Sequence, residues 1–78
     1  MAKLTLLGPA HDVAGRREDD IDGATVDEVL AEAVLRYGSD FEKLLATSQV
    51  WLNGEPASRT ARVESHDEIM VLPPVSGG

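Results

Sequence analysis

The stretch that decides the fold is TVDEVLAEAVLRYG, residues 25–38. Thr25 and, three residues later, Glu28 form the pattern of a capping box, in which the two side chains satisfy free backbone N–H groups at a helix start. Apolar residues then recur at helical spacing up to Gly38, and glycine commonly follows the end of a helix. The pattern predicts one amphipathic helix whose apolar face packs against another element. Its apolar residues are Val26, Val29, Leu30, Ala33, Val34 and Tyr37.

The residues after Gly38 predict a second, shorter helical segment. Ser39 and Glu42 repeat the capping pattern, and a helical turn over residues 41–46 is expected to follow. Phe41, Leu44 and Leu45 would then close the bottom of the core.

Strand-forming residues flank these helices. Residues 3–7 predict an opening strand stopped by Gly8 and Pro9, and residues 17–22 predict a second strand after a loop that contains Gly15. Residues 17–22 hold four carboxylates, which suits an exposed sheet edge because charged side chains keep edges from pairing with other chains. Residues 49–52 predict a further strand that ends at the tight turn Asn53-Gly54, after which residues 55–57 lead away.

Two last strands, residues 61–64 and 68–72, are predicted with a turn over residues 65–67 between them. The order of strand, strand, helix and then several short strands is an α+β plan, with one main helix laid across a mixed sheet. No repeat, linker or low-complexity segment divides the 78 residues, so one small domain without a large enclosed active site is expected.

Composition narrows the classes of function. The sequence has no cysteine, which rules out a disulfide framework, a thiolate zinc site and a cysteine nucleophile. A net charge of -7 disfavours nucleic acid and anionic membranes as partners; either a basic protein surface or solubility alone could account for it. With no signal-peptide pattern and no long apolar run, a cytoplasmic location is expected.

The sequence offers no catalytic constellation of its own. His11 and His66 are far apart, and no phosphate-binding glycine loop or nucleophile elbow is present. Consecutive residues on a turn rarely converge on one ion, so His66, Asp67 and Glu68 predict a solvated turn and no metal site. The serine and threonine hydroxyls have no adjacent base. No independent enzyme activity is therefore expected.

The carboxyl-terminal residues, VLPPVSGG at positions 71–78, carry the clearest chemical signal. Pro73 and Pro74 fix φ and favour an extended course away from the body. Gly77 and Gly78 lack a Cβ, so their backbone fits a channel too narrow for side chains. Their remaining reactive group is the α-carboxylate of Gly78. The plain alternative is an inert, frayed terminus.

These residues resemble the ubiquitin-like sulfur carriers, in particular the small subunits of molybdopterin synthases. The resemblance runs through VWLNGE at 50–55 and DEI at 67–69 to the specific ending PPVSGG at 73–78. It implies a β-grasp, ubiquitin-like fold over residues 1–73 with a flexible, extended diglycine tail over residues 74–78. One departure is Ser65-His66 where the family has a glycine before Asp-Glu, so that His66 would take any positive φ that this turn needs.

The resemblance also implies a mechanism. An activating enzyme would adenylate the Gly78 carboxylate with ATP, and a sulfur donor would displace AMP to leave a thiocarboxylate. The sulfur at Gly78 would then pass to a pterin precursor to form the dithiolene of the molybdenum cofactor. The chain would hold no permanent cofactor and no metal, and it would be a sulfur-donor subunit without catalytic side chains.

The resemblance implies three partner proteins. They are the large catalytic subunit of molybdopterin synthase in a heterotetramer, an adenylyltransferase similar to ubiquitin-activating enzymes, and a sulfur donor protein. The tail would insert into the large subunit, with Val75 as an anchor; the inserting residues are Pro73, Pro74, Val75, Ser76 and Gly77.

Strand alternation predicts where the body meets such a partner. If Ile69 and Val71 face the helix, Met70 and Leu72 face outward, and the same phase on residues 50–52 leaves Trp51 exposed beside them. An outward patch at the root of the tail would suit docking, whereas the opposite phase would bury Trp51. The charged rim of this surface is assigned to Arg59 and Arg62.

Three other functions remain open. A carrier of the same fold could feed cysteine, thiamine or secondary-metabolite synthesis. A protein modifier would use Gly78 to form isopeptide bonds with lysines. A plain interaction domain would leave its tail unused.

Overall fold

The computed structural model describes residues 1–74, which form five strands and three helices. In chain order these are β1 (Ala2–Leu6), α1 (Pro9–Ala14), β2 (Glu18–Ile21), α2 (Val26–Tyr37), α3 (Ser39–Thr47), β3 (Gln49–Leu52), β4 (Glu55–Pro56) and β5 (Glu68–Leu72). Residues 75–78, which include the predicted reactive diglycine ending, lie outside the residues that the structure describes. The α+β plan with one main helix across a mixed sheet is confirmed.

The sheet has the strand order β2-β1-β5-β3-β4. The last strand, β5, lies at its centre: it pairs in parallel with β1 and antiparallel with β3. The outer strands β2 and β4 form antiparallel hairpin pairs with β1 and β3. The strand that leads to the carboxyl terminus is therefore hydrogen-bonded along both of its sides.

The start of α2 shows the predicted capping with a shift of one residue. The backbone N–H of Glu28 donates to Thr25 Oγ1 over 3.2 Å, as the pattern predicts. The Glu28 carboxylate in turn accepts from the backbone N–H of Ala24, over 3.3 Å, instead of from Thr25. The helix ends at Tyr37 and is followed by Gly38, whose φ of 100° is strained for any residue with a Cβ.

The core lies between the helices and one face of the sheet. Phe41 from α3 is fully buried and meets the ring of Tyr37 edge to face, with the ring centroids 5.1 Å apart. The buried apolar side chains are Ala2, Leu4, Leu6, Ala10, Ile21, Val26, Val29, Leu30, Ala33, Phe41, Leu45, Val50, Val63, Ile69 and Val71.

The edge strand β2 is tied to α2 by a polar cluster at Asp19. Arg36 and Tyr37 both hydrogen-bond the same oxygen of Asp19, at 3.0 Å and 2.7 Å, and Arg16 lies 3.4 Å from the other oxygen. Burial opposes ionisation of Asp19, but the hydrogen bonds from Tyr37 and Arg36 and the two positive charges outweigh it and hold its pKa below the ordinary value. Burial, the hydrogen bond to Asp19 and the charge of Asp19 raise the pKa of Tyr37. Asp19, one of the four carboxylates predicted to protect the sheet edge, therefore links β2 to α2.

The first loop of the sequence prediction contains a helix. Helix α1 begins at Pro9 and ends at Ala14, and Gly15 after it has a φ of 77°. Its six residues bury only Ala10, so the segment is too short to display an apolar period.

Two other expectations were wrong. Ser39 does not cap α3: the helix already includes Ser39, and Gly38 precedes it without a side-chain cap. Residues 61–64 form only a single bridge, between Thr25 and Arg62. The carbonyl of Ala61 instead accepts a hydrogen bond from the N–H of Val26. This N–H lies in the first turn of α2, where backbone N–H groups have no partner inside the helix.

The turn Asn53-Gly54 is confirmed, but the chain does not then lead away. Both residues have positive φ, 52° and 85°, and the turn returns the chain as β4 against β3. Within residues 1–74, no helix combines the length and the apolar character that crossing a membrane requires.

Candidate docking face and carboxyl terminus

The root of the carboxyl terminus emerges from the middle of the sheet. Strand β5 ends at Leu72, after which Pro73 is buried and Pro74 is exposed. Pro73 is therefore packed into the body, and among the predicted inserting residues Pro74 is the one described residue that is free on the surface. The predicted reactive residue Gly78, together with Val75, Ser76 and Gly77, lies beyond the described part of the chain.

The two faces of β5 differ as alternation predicts. Ile69 and Val71 are fully buried under the helices, whereas Met70 and Leu72 are half-buried on the outer face. Val50 of β3 also faces inward, and Trp51 lies directly opposite Met70 in the antiparallel register. The outward phase of Trp51 is confirmed, although its side chain is only partly exposed.

These residues form an apolar surface that we call the outer patch, consisting of Trp51, Pro56, Met70 and Leu72. Pro56 belongs to it because it faces Trp51 across the β3–β4 pair. The Trp51 indole N–H donates to Gln49 Oε1 over 3.2 Å, which fixes the ring without burying a donor. Sequence reasoning missed Pro56, since the short strand that carries it had no strand signal of its own.

A groove of about 310 Å³ joins the outer patch to the root of the tail. It is lined by Thr47, Gln49, Trp51, Leu72, Pro73 and Pro74. An apolar side chain from a partner could therefore contact the patch and the first residue of the tail at once.

The remainder of the outer face is polar. Thr5 Oγ1 donates to the carboxylate of Glu68 over 2.6 Å, and Lys3 Nζ lies 3.7 Å from Glu18. The outer patch is therefore bordered by charged residues on the side of β1 and β2, as the rim of a protein interface commonly is.

The structure does not bring the two predicted rim arginines to this patch. The Arg59 guanidinium lies 3.6 Å from Asp27 and lines a depression between α2 and α3, on the helix side of the sheet. Arg62 sits in the bridge to Thr25 at the start of α2. Their assignment to a partner surface remains a prediction.

The turn before β5 is held by an asparagine from another strand. Asn53 accepts from the N–H of Glu68 over 2.9 Å and donates to Asp67 over 3.0 Å. The backbone N–H of Glu64 and then the amide of Asn53 lower the pKa of Asp67. Asn53 is the one non-glycine residue with positive φ among residues 1–74, so His66 does not take that conformation. The sequence showed the turn but not its partner.

No three metal-ligating side chains converge within residues 1–74. His66 Nε2 lies 4.0 Å from carboxylate oxygens of both Glu64 and Asp67, and its side chain is largely exposed.

Comparison with known proteins agrees with this architecture. The model of the ThiS family matches residues 4–78. The molybdopterin synthase sulfur carrier subunit of Arabidopsis thaliana is 36% identical, over 97% of this chain and 81% of that protein.

Solved structures show the same fold. Small archaeal modifier protein 1 of Methanosarcina acetivorans superposes with a TM-score of 0.89 at 23% identity, over 99% of this chain and 95% of that one. The same protein from Haloferax volcanii gives a TM-score of 0.78 at 34% identity, over 99% and 98%. A complex of subunits 1 and 2 of the molybdopterin-converting factor of Helicobacter pylori gives 0.70 at 22% identity, over 99% and 97%. With its β-grasp fold and near-complete family match, the chain belongs to the ThiS family of ubiquitin-like sulfur carriers.

Proposed function

We propose that this chain is the sulfur-carrying small subunit of a molybdopterin synthase. The observation that carries the proposal is the similarity to the Arabidopsis carrier subunit, which extends over almost the whole chain. The match to the ThiS family supports a sulfur carrier, and this relative supports the choice of pathway.

The proposed chemistry takes place at the Gly78 carboxylate. A carboxylate is a poor electrophile, so an activating enzyme first joins one of its oxygens to the α-phosphorus of ATP and releases pyrophosphate. Hydrosulfide released by a donor protein then attacks the carbonyl carbon, AMP leaves with the electrons of the broken C–O bond, and the thiocarboxylate remains at Gly78. Because this activation consumes ATP, we place the carrier in the cytoplasm.

The body of the domain would present this tail to the large catalytic subunit. The outer patch borders the root of the tail, and the groove between them offers an apolar anchor site. The Helicobacter pylori relative is seen in complex with a second subunit, which supports an equivalent contact here, within a heterotetramer. The catalytic side chains would belong to that subunit, and residues 74–78 would supply only the sulfur.

A protein modifier is the second candidate. It is favoured by the 34% identity with the small archaeal modifier protein of Haloferax volcanii. In that case the activated Gly78 carbonyl would be attacked by a lysine amine in place of sulfur.

Intact-mass measurement tests the sulfur-carrier proposal. The chain is incubated with an activating enzyme, ATP and a sulfur source, and the expected result is the exchange of one oxygen for sulfur at Gly78. A chain that lacks Gly78 serves as the control and should keep its mass. An unchanged mass in the full chain, under conditions that thiolate a known carrier, would contradict the proposal.

Reconstitution separates the pathways. The thiolated chain should convert a pterin precursor when a large synthase subunit is added, and it should give no cysteine with a carrier-dependent cysteine synthase. The reverse result would move the carrier to the other pathway, and isopeptide remnants on lysines of other proteins would favour the modifier.

A further inference from the structure

A second apolar surface lies on the opposite side of the sheet from the outer patch. It is a groove of about 530 Å³ between α2 and α3, which we call the helix groove. Its floor includes the buried Leu30 and Leu45 and the half-buried Val34. Ala31 and Ala46 keep its walls low because their side chains are small.

Leu35 stands on the rim of the helix groove. Its side chain is 80% exposed, more than any other large apolar side chain in residues 1–74. Helix α2 therefore carries an apolar stripe that continues past the core, from Leu30 and Val34 to Leu35, and no element of the described chain covers it. An exposed leucine beside a preformed apolar groove is typical of a docking surface.

The charges around the helix groove indicate what kind of partner fits it. Residues 26–47, which hold both helices, carry five carboxylates and two cationic side chains, and Arg59 from the loop after β4 also lines the groove. Arg59 lies 3.6 Å from Asp27 and offsets its charge, whereas Glu42 has no ion-pair partner within residues 1–74, so the charge left unpaired at the groove is negative. A second copy of this chain, also with a charge of -7, would be repelled.

The form of the partner follows from the backbone. The groove is walled by two helices, whose N–H and C=O groups are bonded internally, so it offers no strand edge to an extended peptide. An amphipathic helix needs no such edge, because it binds through side chains at helical spacing.

We propose that the helix groove binds a basic amphipathic helix of a partner protein, with aliphatic side chains seated over Leu30, Val34 and Leu35 and an arginine or lysine against Glu42. The groove lies on the face opposite the outer patch, so this helix binds while the tail is engaged. The proposal goes beyond the sulfur chemistry and does not depend on which pathway receives the sulfur.

Two designed peptides test the proposal with the full chain. Both are amphipathic helices of about 16 residues, long enough to hold helical structure, with the same leucine face. The charged face is all lysine and arginine in one peptide and all glutamate in the other. In NMR titrations the basic peptide should shift amide resonances along α2 and α3, with an affinity that falls as salt rises, and the acidic peptide should not.

Matched variants locate the site. Leu35→Gln should weaken binding of the basic peptide about tenfold, because an exposed leucine gains most of its burial in the complex. Glu42→Lys should weaken it about fivefold. The controls are Val13→Gln on α1, which also replaces an exposed aliphatic side chain by glutamine, and Glu55→Lys on β4, and both should leave the affinity unaltered. All four positions are exposed, so the fold should survive.

Three results would overturn the proposal. They are equal binding of the two peptides, resonance shifts confined to the outer patch, and an affinity that Leu35→Gln and Glu42→Lys leave unchanged. Thiolation at Gly78 is read separately by mass, so failure of the helix groove and failure of the sulfur-carrier proposal are distinguishable.

Discussion

At the scale of single residues, Asp19 in the edge strand β2 connects that strand to helix α2. Three side chains, from Arg16, Arg36 and Tyr37, converge on its carboxylate and tie β2 to the end of α2. Their hydrogen bonds and charges lower its pKa in spite of burial. The folded state is therefore stabilised by the ionised form of Asp19.

The Asp19 cluster predicts a dependence of stability on pH. Because the pKa is lowered on folding, the contribution is complete above the ordinary value of 3.8 and is lost as the pH falls through the folded-state pKa below it. Asp19→Asn should therefore reduce the free energy of unfolding by about 1 kcal/mol at neutral pH. Urea denaturation at neutral and at strongly acidic pH checks this, and the deficit should shrink in acid. The neighbouring Asp20→Asn should change little.

Trp51 is predicted to anchor the large synthase subunit. Truncation of a central interface tryptophan typically costs about 2 kcal/mol, or about thirtyfold in affinity. Trp51→Ala should therefore weaken binding to that subunit by this amount while the domain stays folded, since the side chain is only partly buried. Calorimetry and thermal melting measure the two effects. Val13→Ala on α1 is the control, and equal losses in both variants would contradict the outer patch.

Local pattern predicted some residue positions and missed others. Alternation placed Met70 and Leu72 outward because a strand has a period of two. It could not pair Asn53 with Asp67, or Asp19 with Tyr37, because these partners are far apart in sequence and their choice depends on the tertiary fold. The assignment of Arg59 to the rim of the outer patch had the same weakness, and the structure sets Arg59 beside Asp27.

At the scale of elements, the turn between β3 and β4 also controls the start of β5. Asn53 holds a φ of 52° and bonds both Glu68 and Asp67. One asparagine therefore fixes a tight turn and the register of the neighbouring strand.

Substitutions at Asn53 should separate these two roles. Asn53→Gly keeps the positive φ and loses the side-chain bonds, so it should cost about 1 kcal/mol. Asn53→Ala loses the bonds and strains the turn as well, for a total of about 2 kcal/mol. Urea denaturation ranks the variants, and an alanine variant as stable as the glycine variant would contradict the strained turn.

The elements that were predicted best have a long run of apolar residues at regular spacing or clear start and stop residues. Helix α2 has both, and its bounds agree with its cap at Thr25 and its stop at Gly38. Helix α1 has neither, since six residues with one buried side chain resemble a loop. Residues 61–64 have strand-like composition, but the carbonyl of Ala61 accepts from the N–H of Val26 at the start of α2 instead of from a neighbouring strand.

At the scale of the whole molecule, the strand order was not predictable from periodicity. The α+β class followed from the sequence of elements, but the central position of β5 depends on the parallel pairing with β1, which joins the two ends of the described chain. Family resemblance supplied the β-grasp fold, and the structure confirms it.

Deletion of Gly77 and Gly78 tests whether the tail and the body are independent. The described buried residues all lie within residues 2–73, so the unfolding free energy should change by less than about 0.5 kcal/mol. Thiolation detected by mass should be abolished. A lost fold in the truncated chain, shown by circular dichroism, would contradict this division.

The central position of β5 also determines how the molecule responds to force. A pull on the chain beyond Pro74 is transmitted to a strand bonded to β1 on one side and to β3 on the other. Both rows of hydrogen bonds are then loaded in shear along their length, and none can be peeled open one at a time from a free edge. The domain should therefore resist unravelling from its own end when its carboxyl terminus is pulled.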